Sequence, residues 1–278
     1  MCIRDSIISL ICCLLIIACN SSKQAQTKQL NQTYRFAFYN VENLFDTVDT
    51  PDKFDEDFTP TGKLKWTPER YQKKLYNISK VIEGMDFPSI VGVCEVENEA
   101  VLNDLSTTDL LKSHGYQVVH HESPDKRGID NGLIYKKKDF KVLASDHYQI
   151  NFPKEVVEDY TTRDIIYVKG IFLGIDTLHI FVNHWPSRRG GLEASEPKRV
   201  YVASQLKEKT TAILQKNANA KIVIMGDFND ETDNNSVLNT LGAKTNSEVI
   251  NSSSLYNCSA KLDQAGDGPI TIVGIGIC

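Results

Sequence analysis

The segment Lys221–Asp230 (KIVIMGDFND) constrains the fold most, because a short apolar run ends abruptly in an acid and an amide. Four consecutive apolar residues between Lys221 and Gly226 are typical of a strand that is covered on both faces. Asp227 and Asn229, at the end of this run, offer the oxygen ligands that a hard cation such as Mg²⁺ prefers. Because Gly, Asn and Asp are also turn formers, the segment alone is equally compatible with an ordinary turn.

Composition limits the class of protein. The chain has 278 residues, of which 41% are hydrophobic and 24% charged, as in an ordinary globular protein of one large or two small domains. Its net charge of −5 excludes an overall basic field that would hold it on nucleic acid, so a polyanion would have to be bound locally. The spacing of cysteine and histidine matches no zinc motif, and Cys94 lies in an apolar run that predicts a buried thiol.

The N-terminus carries a targeting signal. Ile7–Ala18 is an apolar stretch broken only by Ser9, which is shorter than the roughly 20 residues needed to span a bilayer and is typical of a signal peptide. Its end, LIIAC, resembles the lipobox of bacterial lipoproteins, which implies cleavage before Cys19 and a lipid on Cys19. We therefore expect a lipoprotein signal peptide at 1–19 and a linker at 20–33. The alternatives are a buried helix and an ordinary secretory signal.

The hydrophobic pattern predicts an alternation of strands and helices. Thr67, Pro68 and Glu69 have the order expected of a cap, a first helical residue and an acidic first turn. Helices are predicted from Thr67, over 99–113 with Gly115 at the end, and over 199–216; strands are predicted at 35–40, 89–96, 116–121, 132–135, 140–148, 165–173, 178–183 and from 221. Buried strands flanked by helices and mixed with antiparallel runs predict an α+β fold of two packed sheets with helices outside.

Polar side chains stand at the ends of three of these predicted strands. They are Asn40, Glu95 and the pair Asp227 and Asn229. Residues so far apart in sequence meet only if their strands share an edge, which is a common location for binding sites. A carboxylate such as Glu95 at the end of an apolar run is costly to bury unless it is paired or bound to a metal.

The segment Phe181–Gly191 (FVNHWPSRRGG) also turns from a strand into a polar loop. His184 could donate to a phosphate oxygen, and Arg188 and Arg189 offer forked donors suited to phosphate. The alternatives are a packed, hydrogen-bonded histidine beside Trp185 and two solvated arginines.

Taken in order, these motifs resemble the endonuclease/exonuclease/phosphatase superfamily of Mg²⁺-dependent phosphoesterases. The resemblance runs from about Phe36 to Leu262 and rests on YNVENL at 39–44, IVGVCEVEN at 90–98, GIDNGLIY at 128–135, TR at 162–163, VNHW at 182–185 and GDFN at 226–229. It implies a four-layer α/β/β/α sandwich, in agreement with the α+β fold predicted from the pattern.

The resemblance also implies roles for the site residues. Asn40 and Glu95 would hold Mg²⁺, with Mn²⁺ as an alternative cofactor. Asp227 would orient or activate the attacking water, Asn229 would bind phosphate or metal beside it, and His184 would be an acid or a phosphate ligand. The nucleophile would be water.

Arg163 corresponds to a family position that contacts the scissile region of the substrate, and its alternative is a surface ion pair. The family completes its site with a late metal-linked Asp and an Asp-His pair near the C-terminus, whereas no histidine follows His184 here. We therefore expect 34–268 to be an incomplete domain that lacks its last strands. Residues 269–278 and the first six residues are then expected to be non-native, within a fragment of a longer gene product.

The expected function is Mg²⁺-dependent hydrolysis of phosphoester bonds by a monomer that is exported and tethered by lipid to a bacterial envelope. The expected substrate is a phosphodiester or phosphomonoester, most often nucleic acid, cut by an endonuclease or exonuclease. One alternative is a phosphatase on small phosphorylated molecules or lipids, because the acidic loop 46–57 would repel DNA. A second, from a different class, is a non-catalytic envelope binding protein that retains the fold.

Overall fold

The computed structural model describes residues 33–245, 254–260 and 275–276. The predicted signal peptide, the lipidation site Cys19 and nearly all of the predicted linker lie outside these residues, as does most of the predicted tail 269–278. The chain divides into two compact units, Met1–Arg35 and Phe36–Cys278, and every helix and strand given below belongs to the second unit.

The first sheet has four strands: β1 (Phe36–Leu44), β2 (Ile90–Val96), β3 (Tyr116–His120) and β4 (Asp130–Lys136). Their order across the sheet is β1-β2-β4-β3, with β1 parallel to β2 and the other neighbours antiparallel.

The second sheet is formed by β5 (Phe140–Tyr148), β6 (Ile165–Phe172), β7 (Asp176–His184), β8 (Lys221–Asp227), β9 (Ala243–Lys244), β10 (Leu255–Asn257) and β11 (Ile275–Gly276). Its order is β5-β6-β7-β8-β11-β10-β9. β7 and β8 are parallel, so their carboxyl ends lie at the same edge of the sheet. On its other side, β8 pairs antiparallel with β11.

Three α-helices accompany the sheets: α1 (Pro68–Gly84), α2 (Glu99–Ser106) and α3 (Leu192–Lys216). Two single 3₁₀ turns (Glu56–Phe58 and Lys112–His114) and a π-helical turn (Ser236–Leu241) complete the described elements. As predicted, Thr67 caps α1, and its side chain accepts a hydrogen bond from the backbone of Arg70. Within the described residues, no helix is long and apolar enough to cross a membrane.

Three apolar cores separate four layers. Strand alternation sends Val91 and Val93 of β2 into a core with α1 and α2, whereas Ile90 and Cys94 of the same strand enter a core between the two sheets. The third core packs the outer face of the second sheet against α3. β2 and β8 are therefore covered on both faces, which explains their continuous apolar sequences. The predicted α+β sandwich of two sheets between helices is confirmed, as is the burial of Cys94.

Two predicted helix boundaries were wrong. The helix predicted over 99–113 ends at Ser106, where the hydroxyls of Ser106 and Thr107 both donate to the carbonyl of Asn103 and compete with helical backbone bonds. The helix predicted over 199–216 already begins at Leu192 and contains Pro197. Because proline lacks an N–H and usually stands outside helix interiors, the pattern suggested a later start.

Candidate functional site

A β-bulge presents Glu95 at the end of β2. Asn40 pairs with Cys94 across the parallel β1–β2 ladder, and the next pair is Leu44 with Val96, so the extra residues there lie on β1. Against β4, by contrast, β2 has one extra residue between Cys94 and Val96. Glu95 is the extra residue and has a positive φ of 63°. A bulge of this kind redirects a side chain out of the ladder, which accounts for a carboxylate at the end of a buried strand.

His184 and Asp227 are brought together by the parallel ladder of the second sheet. They are register partners at the ends of β7 and β8. The chain continues this alignment beyond the strands, because the backbone N–H of Trp185 donates to the carbonyl of Asp227 over 2.9 Å. The two backbones approach closely at Gly226, where an added Cβ would lie 2.4 Å from the carbonyl oxygen of Asn183.

Asn40 joins the two sheets at this point. Its Nδ2 donates to Glu95 Oε1 over 3.1 Å and to Asp227 Oδ2 over 3.1 Å. Its Oδ1 accepts from the backbone N–H of Glu42 over 2.9 Å. The structure thus brings together two carboxylates and an amide that the sequence placed on three separate strand ends.

His184 lies beside the two carboxylates. Its Nε2 is 3.9 Å from Glu95 Oε1 and 3.9 Å from Asp227 Oδ2. Its Nδ1 is buried and has no hydrogen-bond partner among the described residues. Burial, followed by the positive charges of Arg163 and Arg127, holds the pKa of His184 well below its ordinary value. The imidazole is therefore neutral near pH 7, which favours a hydrogen-bonding role over that of a cationic acid.

Asn229 positions Asp227. Its backbone has a positive φ of 51°, and its N–H donates to Asp227 Oδ1 over 3.0 Å. Its Nδ2 donates to the carbonyl of Trp185 over 3.0 Å. Phe228, which lies between Asp227 and Asn229 in the sequence, stacks on the Trp185 ring with centroids 4.3 Å apart. One amide N–H of Asn229 is thus engaged in holding the loop after β8.

The structure contradicts the alternative of a surface ion pair for Arg163, because its side chain is buried. Nη2 donates to the carbonyl of Trp185 over 2.6 Å, Nη1 donates to Asp125 Oδ2 over 3.4 Å, and Nε has no partner among the described residues. Burial lowers the pKa of this guanidinium, and Asp125 opposes that effect. Arg163 is therefore a buried cation next to His184 with an unused donor.

Arg188 and Arg189 have different surroundings. Arg188 holds the loop after β8: its Nε donates to the carbonyl of Asn229 over 2.8 Å, and its Nη atoms contact Glu231 Oε1 at 3.1 Å and Asn234 Oδ1 at 2.9 Å. The geometry gives it a structural role without any phosphate. Arg189 is exposed and lines a cavity next to the site.

That cavity has a volume of about 320 Å³ and a basic lining. Its wall consists of Phe54, Asp125, Lys126, Arg127, Asp159, Tyr160, Thr161, Arg163, Ser187, Arg189 and Lys198. Five of these residues are basic and two acidic, although the chain as a whole is acidic. Asp125 is occupied by Arg127, whose Nη2 lies 2.8 Å from Asp125 Oδ2. We call this cavity the basic pocket.

Arg127, Tyr160 and Lys198 of the basic pocket were not predicted from the sequence. Lys198 lies over the Tyr160 ring at 4.8 Å from its centroid. In the sequence, Arg127 belongs to a turn-like stretch and Lys198 to a helix, where a charge usually means a solvated face. The one usable signal was the position of Arg127 directly before Gly128, the first residue of a motif on which the resemblance rests.

The oxygen groups at the site fit a divalent cation. Cys94, His184 and Asp227 have possible ligand atoms within 4.8 Å of one another, but burial raises the pKa of the Cys94 thiol well above its ordinary value and so disfavours a thiolate ligand. The carboxylates of Glu95 and Asp227 both accept a hydrogen bond from the Asn40 amide group. A cation bound between them would relieve the repulsion between their negative charges. Rotation of the amide would also turn Asn40 Oδ1 toward them.

Comparison with solved structures finds the same architecture in other proteins, including the following three. The catalytic domain of human Nocturnin, solved with bound sulfate, is 18% identical over 73% of this chain and 75% of that chain, with a TM-score of 0.52. A mannosyl-6-phosphatase from Bacteroides thetaiotaomicron is 17% identical over 76% of this chain and 70% of that chain, with a TM-score of 0.51. A humanized TDP2 from D. rerio is 13% identical over 86% of this chain and 80% of that chain, with a TM-score of 0.52.

At these identities the structural neighbours establish the fold alone. No curated protein matches the sequence significantly. The model of one protein family, described as the Endonuclease/Exonuclease/phosphatase family, matches residues 35–274. The match includes every described strand except β11 and all the site residues described above. The chain therefore belongs to the endonuclease/exonuclease/phosphatase family of phosphoester-hydrolysing enzymes.

Proposed function

We propose that this protein is a Mg²⁺-dependent hydrolase of phosphoester bonds, with its active site at the junction of Asn40, Glu95, His184 and Asp227. The observation that carries the proposal is that one Asn40 amide holds carboxylates from both sheets, beside the buried side chain of His184. Such a cluster is costly to maintain in a fold unless a cation or substrate uses it. Mn²⁺ is the alternative ion.

The metal, held by Glu95, Asn40 and Asp227, would supply positive charge where negative charge develops on the phosphoryl group. Asp227 is suited to orient or deprotonate water, because its Oδ1 is fixed by the Asn229 N–H while its Oδ2 faces the site. His184, as a neutral imidazole, would donate to a phosphoryl oxygen. Arg163 has an unused Nε–H and a fixed position beside Trp185, and would stabilise charge on the same group.

The basic pocket supports a substrate with anionic groups beyond the scissile phosphate. Arg163 belongs to both the pocket and the site, so a ligand in the pocket would adjoin His184. Phe54, which is 65% exposed, and Tyr160 add aromatic surface of the kind that stacks on bases. We therefore propose nucleic acid as the first substrate class, cut by an endonuclease or exonuclease.

A phosphatase acting on small phosphorylated molecules is the second candidate. The observation that favours it is the size of the basic pocket, because about 320 Å³ is at the lower end of the range for small-molecule sites. A sugar phosphate or mononucleotide would fit such a space, and the structural neighbour from Bacteroides thetaiotaomicron is a mannosyl-6-phosphatase.

We also propose that the protein is exported and anchored to a bacterial envelope by lipid on Cys19. This part rests on the sequence alone, namely the apolar stretch Ile7–Ala18 followed by Cys19 and a polar linker.

The test is a substrate panel assayed on the purified complete gene product with Mg²⁺, with Mn²⁺ and with EDTA. The panel contains circular and linear DNA, RNA, bis(p-nitrophenyl) phosphate, mononucleotides and sugar phosphates. Cleavage that EDTA abolishes and Mg²⁺ restores is the expected result, and the preferred substrate separates nuclease from phosphatase. Binding of these ligands without cleavage under any metal condition would instead identify a non-catalytic binding protein.

A further inference from the structure

A second group of possible metal ligands lies at the β3–β4 connection. His120 ends β3, Asp130 begins β4, and Glu122 lies in the loop between them. Possible ligand atoms of these three residues are all within 4.8 Å of one another. None of the three belongs to the active site proposed above or lines the basic pocket.

Two of these ligand atoms face each other as a buried pair. His120 Nε2 lies 3.2 Å from Asp130 Oδ2, and the two side chains are only 6% and 1% exposed. Both atoms are buried, and among the described residues neither has a partner other than the opposite atom of this pair. Two ligands bound at about 2.0–2.1 Å in a tetrahedral arrangement are about 3.3 Å apart, so the observed spacing of 3.2 Å suits two ligands of one metal ion as well as a direct ion pair.

The surroundings of Asp130 orient its carboxylate for such a role. The backbone N–H of Ser123 donates to Asp130 Oδ1 over 3.0 Å, which leaves Oδ2 directed at His120. Ligating carboxylates are commonly held by an additional hydrogen bond of this kind. The third group, Glu122, has a side chain that is 55% exposed and lies 2.7 Å from Lys53 Nζ, so the cluster opens to solvent on that side.

We propose that His120, Glu122 and Asp130 form a binding site for a divalent first-row transition metal, with Zn²⁺ as the ion that suits them best. One imidazole and two carboxylates match the ligand preferences of Zn²⁺, and three protein ligands leave a fourth position for water. Glu122 leaves Lys53 when the ion binds, and its exposed side chain allows that movement.

The proposed metal site joins the two ends of a loop that forms one wall of the basic pocket. Residues 121–129 begin beside His120 and end beside Asp130, and they include Asp125 and Arg127. Lys53 already holds this loop, because its ammonium donates to the carbonyls of Ser123 and Asp125 over 3.1 and 3.2 Å. A metal ion between the loop ends therefore fixes the segment that places Arg127 in the pocket.

Co²⁺ is the probe that tests this site, because its visible spectrum reports coordination geometry. The complete gene product is titrated with Co²⁺ in excess Mg²⁺, which keeps the active site filled with the harder ion. We expect one Co²⁺ per chain with intense bands typical of four- or five-coordination. Glu122→Gln is the informative variant, since its exposed side chain is not needed for folding. His120→Gln is the second variant, and Glu155→Gln and His114→Gln are the matched controls.

Glu122→Gln and His120→Gln are each expected to weaken Co²⁺ affinity by at least about tenfold, whereas the controls leave it unchanged. Zn²⁺ should displace Co²⁺ and should slow trypsin cleavage after Lys126 and Arg127 in the loop. A wild-type protein that takes up no Co²⁺ in excess Mg²⁺ would overturn the proposal, and the pair would then be a simple His120–Asp130 ion pair. Equal Co²⁺ affinity in wild type and Glu122→Gln would overturn it as well.

Discussion

His184 and Asp227 are register partners on adjacent parallel strands, with 3.9 Å between His184 Nε2 and Asp227 Oδ2. Backbone hydrogen bonds between the two strands therefore fix the relative positions of these two residues, although they are far apart in sequence. Trp185 extends the alignment by donating its N–H to the carbonyl of Asp227. The separation of these two groups, which we propose to be catalytic, depends on how closely β7 and β8 approach.

Gly226→Ala is expected to disturb that approach. The added Cβ would lie 2.4 Å from the carbonyl oxygen and 2.7 Å from the Cβ of Asn183, so the strands must move apart. We expect a loss of about 1–3 kcal/mol in the free energy of unfolding. The rate of hydrolysis should fall more than the loss of stability alone would cause, because small displacements of catalytic groups lower the reaction rate. Urea denaturation and steady-state kinetics measure the two effects.

Gly84→Ala is the matched control for Gly226→Ala. Gly84 is the last residue of α1 and an added Cβ there has no atom within 4 Å. This variant should gain about 0.4–1 kcal/mol in the free energy of unfolding and keep its activity. If the two glycine variants had the same stability and the same activity, the close approach of Gly226 to Asn183 would not determine the geometry of the site.

Asp227→Asn and Glu95→Gln are expected to lower kcat by at least about 100-fold with little change in stability. Each change keeps the shape of the side chain but removes the negative charge that we assign to metal binding and water activation. Asp233→Asn, at an exposed position in the loop after β8, is the matched control and should retain wild-type kcat. Turnover by Asp227→Asn at the wild-type rate would refute the assignment of the active site.

The sequence was sufficient to place Glu95 and Asp227 at the ends of buried strands, because apolar runs that stop at a polar residue report strand ends directly. The strand predicted to end at Asn40 instead continues to Leu44, so Asn40 lies inside β1. The bulge that turns Glu95 out of the sheet could not be predicted from the sequence, because no residue pattern indicates a positive φ at a glutamate. The sequence also did not reveal the basic pocket. Arg127 and Lys198 belong to a loop and a helix that only tertiary packing brings together, and isolated basic residues look like solvated charges.

The difference between Arg188 and Arg189 was equally invisible in the sequence. The adjacent arginines differ only in direction, and that direction is decided by acceptors in the loop after β8, such as Glu231 and Asn234. By contrast, the fold class followed from the pattern because buried strands alternate with amphipathic helices. Each continuous apolar strand required cover on both faces, and the structure provides it with three cores.

His179 is expected to make stability depend on pH. Its Nδ1 lies 2.7 Å from the Tyr167 hydroxyl, and burial, with a smaller effect of Lys169, lowers its pKa in the folded state. Below the unfolded-state value of about 6.5, the unfolded chain then binds the proton more readily than the folded chain does. The stabilising contribution of neutral His179 to the free energy of unfolding is therefore present in full above that pH and is lost as the pH falls.

The measurement compares the free energy of unfolding of wild type and His179→Gln between pH 8 and pH 5. The wild type should lose stability faster on acidification. One titrating group limits the difference in slope to about 1.4 kcal/mol per pH unit, and the half-buried ring should give less than that limit. Parallel curves for the two proteins would show that His179 does not titrate differently in the folded state.

Cys19→Ser is expected to release the protein from membranes. If Cys19 carries the lipid, the wild type expressed in a bacterium should partition into the detergent phase of Triton X-114 and incorporate labelled palmitate. The variant should do neither. Cys258→Ser is the control, because Cys258 is exposed and belongs to the unit Phe36–Cys278, so its substitution should change neither property. Detergent partitioning that survives Cys19→Ser would refute the anchor.

Arg189→Gln and Lys198→Gln are expected to weaken substrate binding while leaving the chemical step intact. Both residues line the basic pocket and neither touches the carboxylates, so each charge acts on the bound anion and not on the attacking water. We expect KM to rise by about 3–10-fold with kcat nearly unchanged, because uniform binding is lost. The effect should diminish at high salt, as it does for exposed charges.

Arg188→Gln provides the contrast within the same loop. Arg188 contacts Asn229, Glu231 and Asn234, so its loss should loosen the loop that fixes Asp227 through Asn229. We expect a lower kcat and a lower melting temperature, with KM changed less than in Arg189→Gln. Steady-state kinetics at two salt concentrations, together with thermal unfolding, separates the two patterns. A rise in KM alone for Arg188→Gln would place this arginine in direct contact with the substrate, as the sequence pattern first suggested.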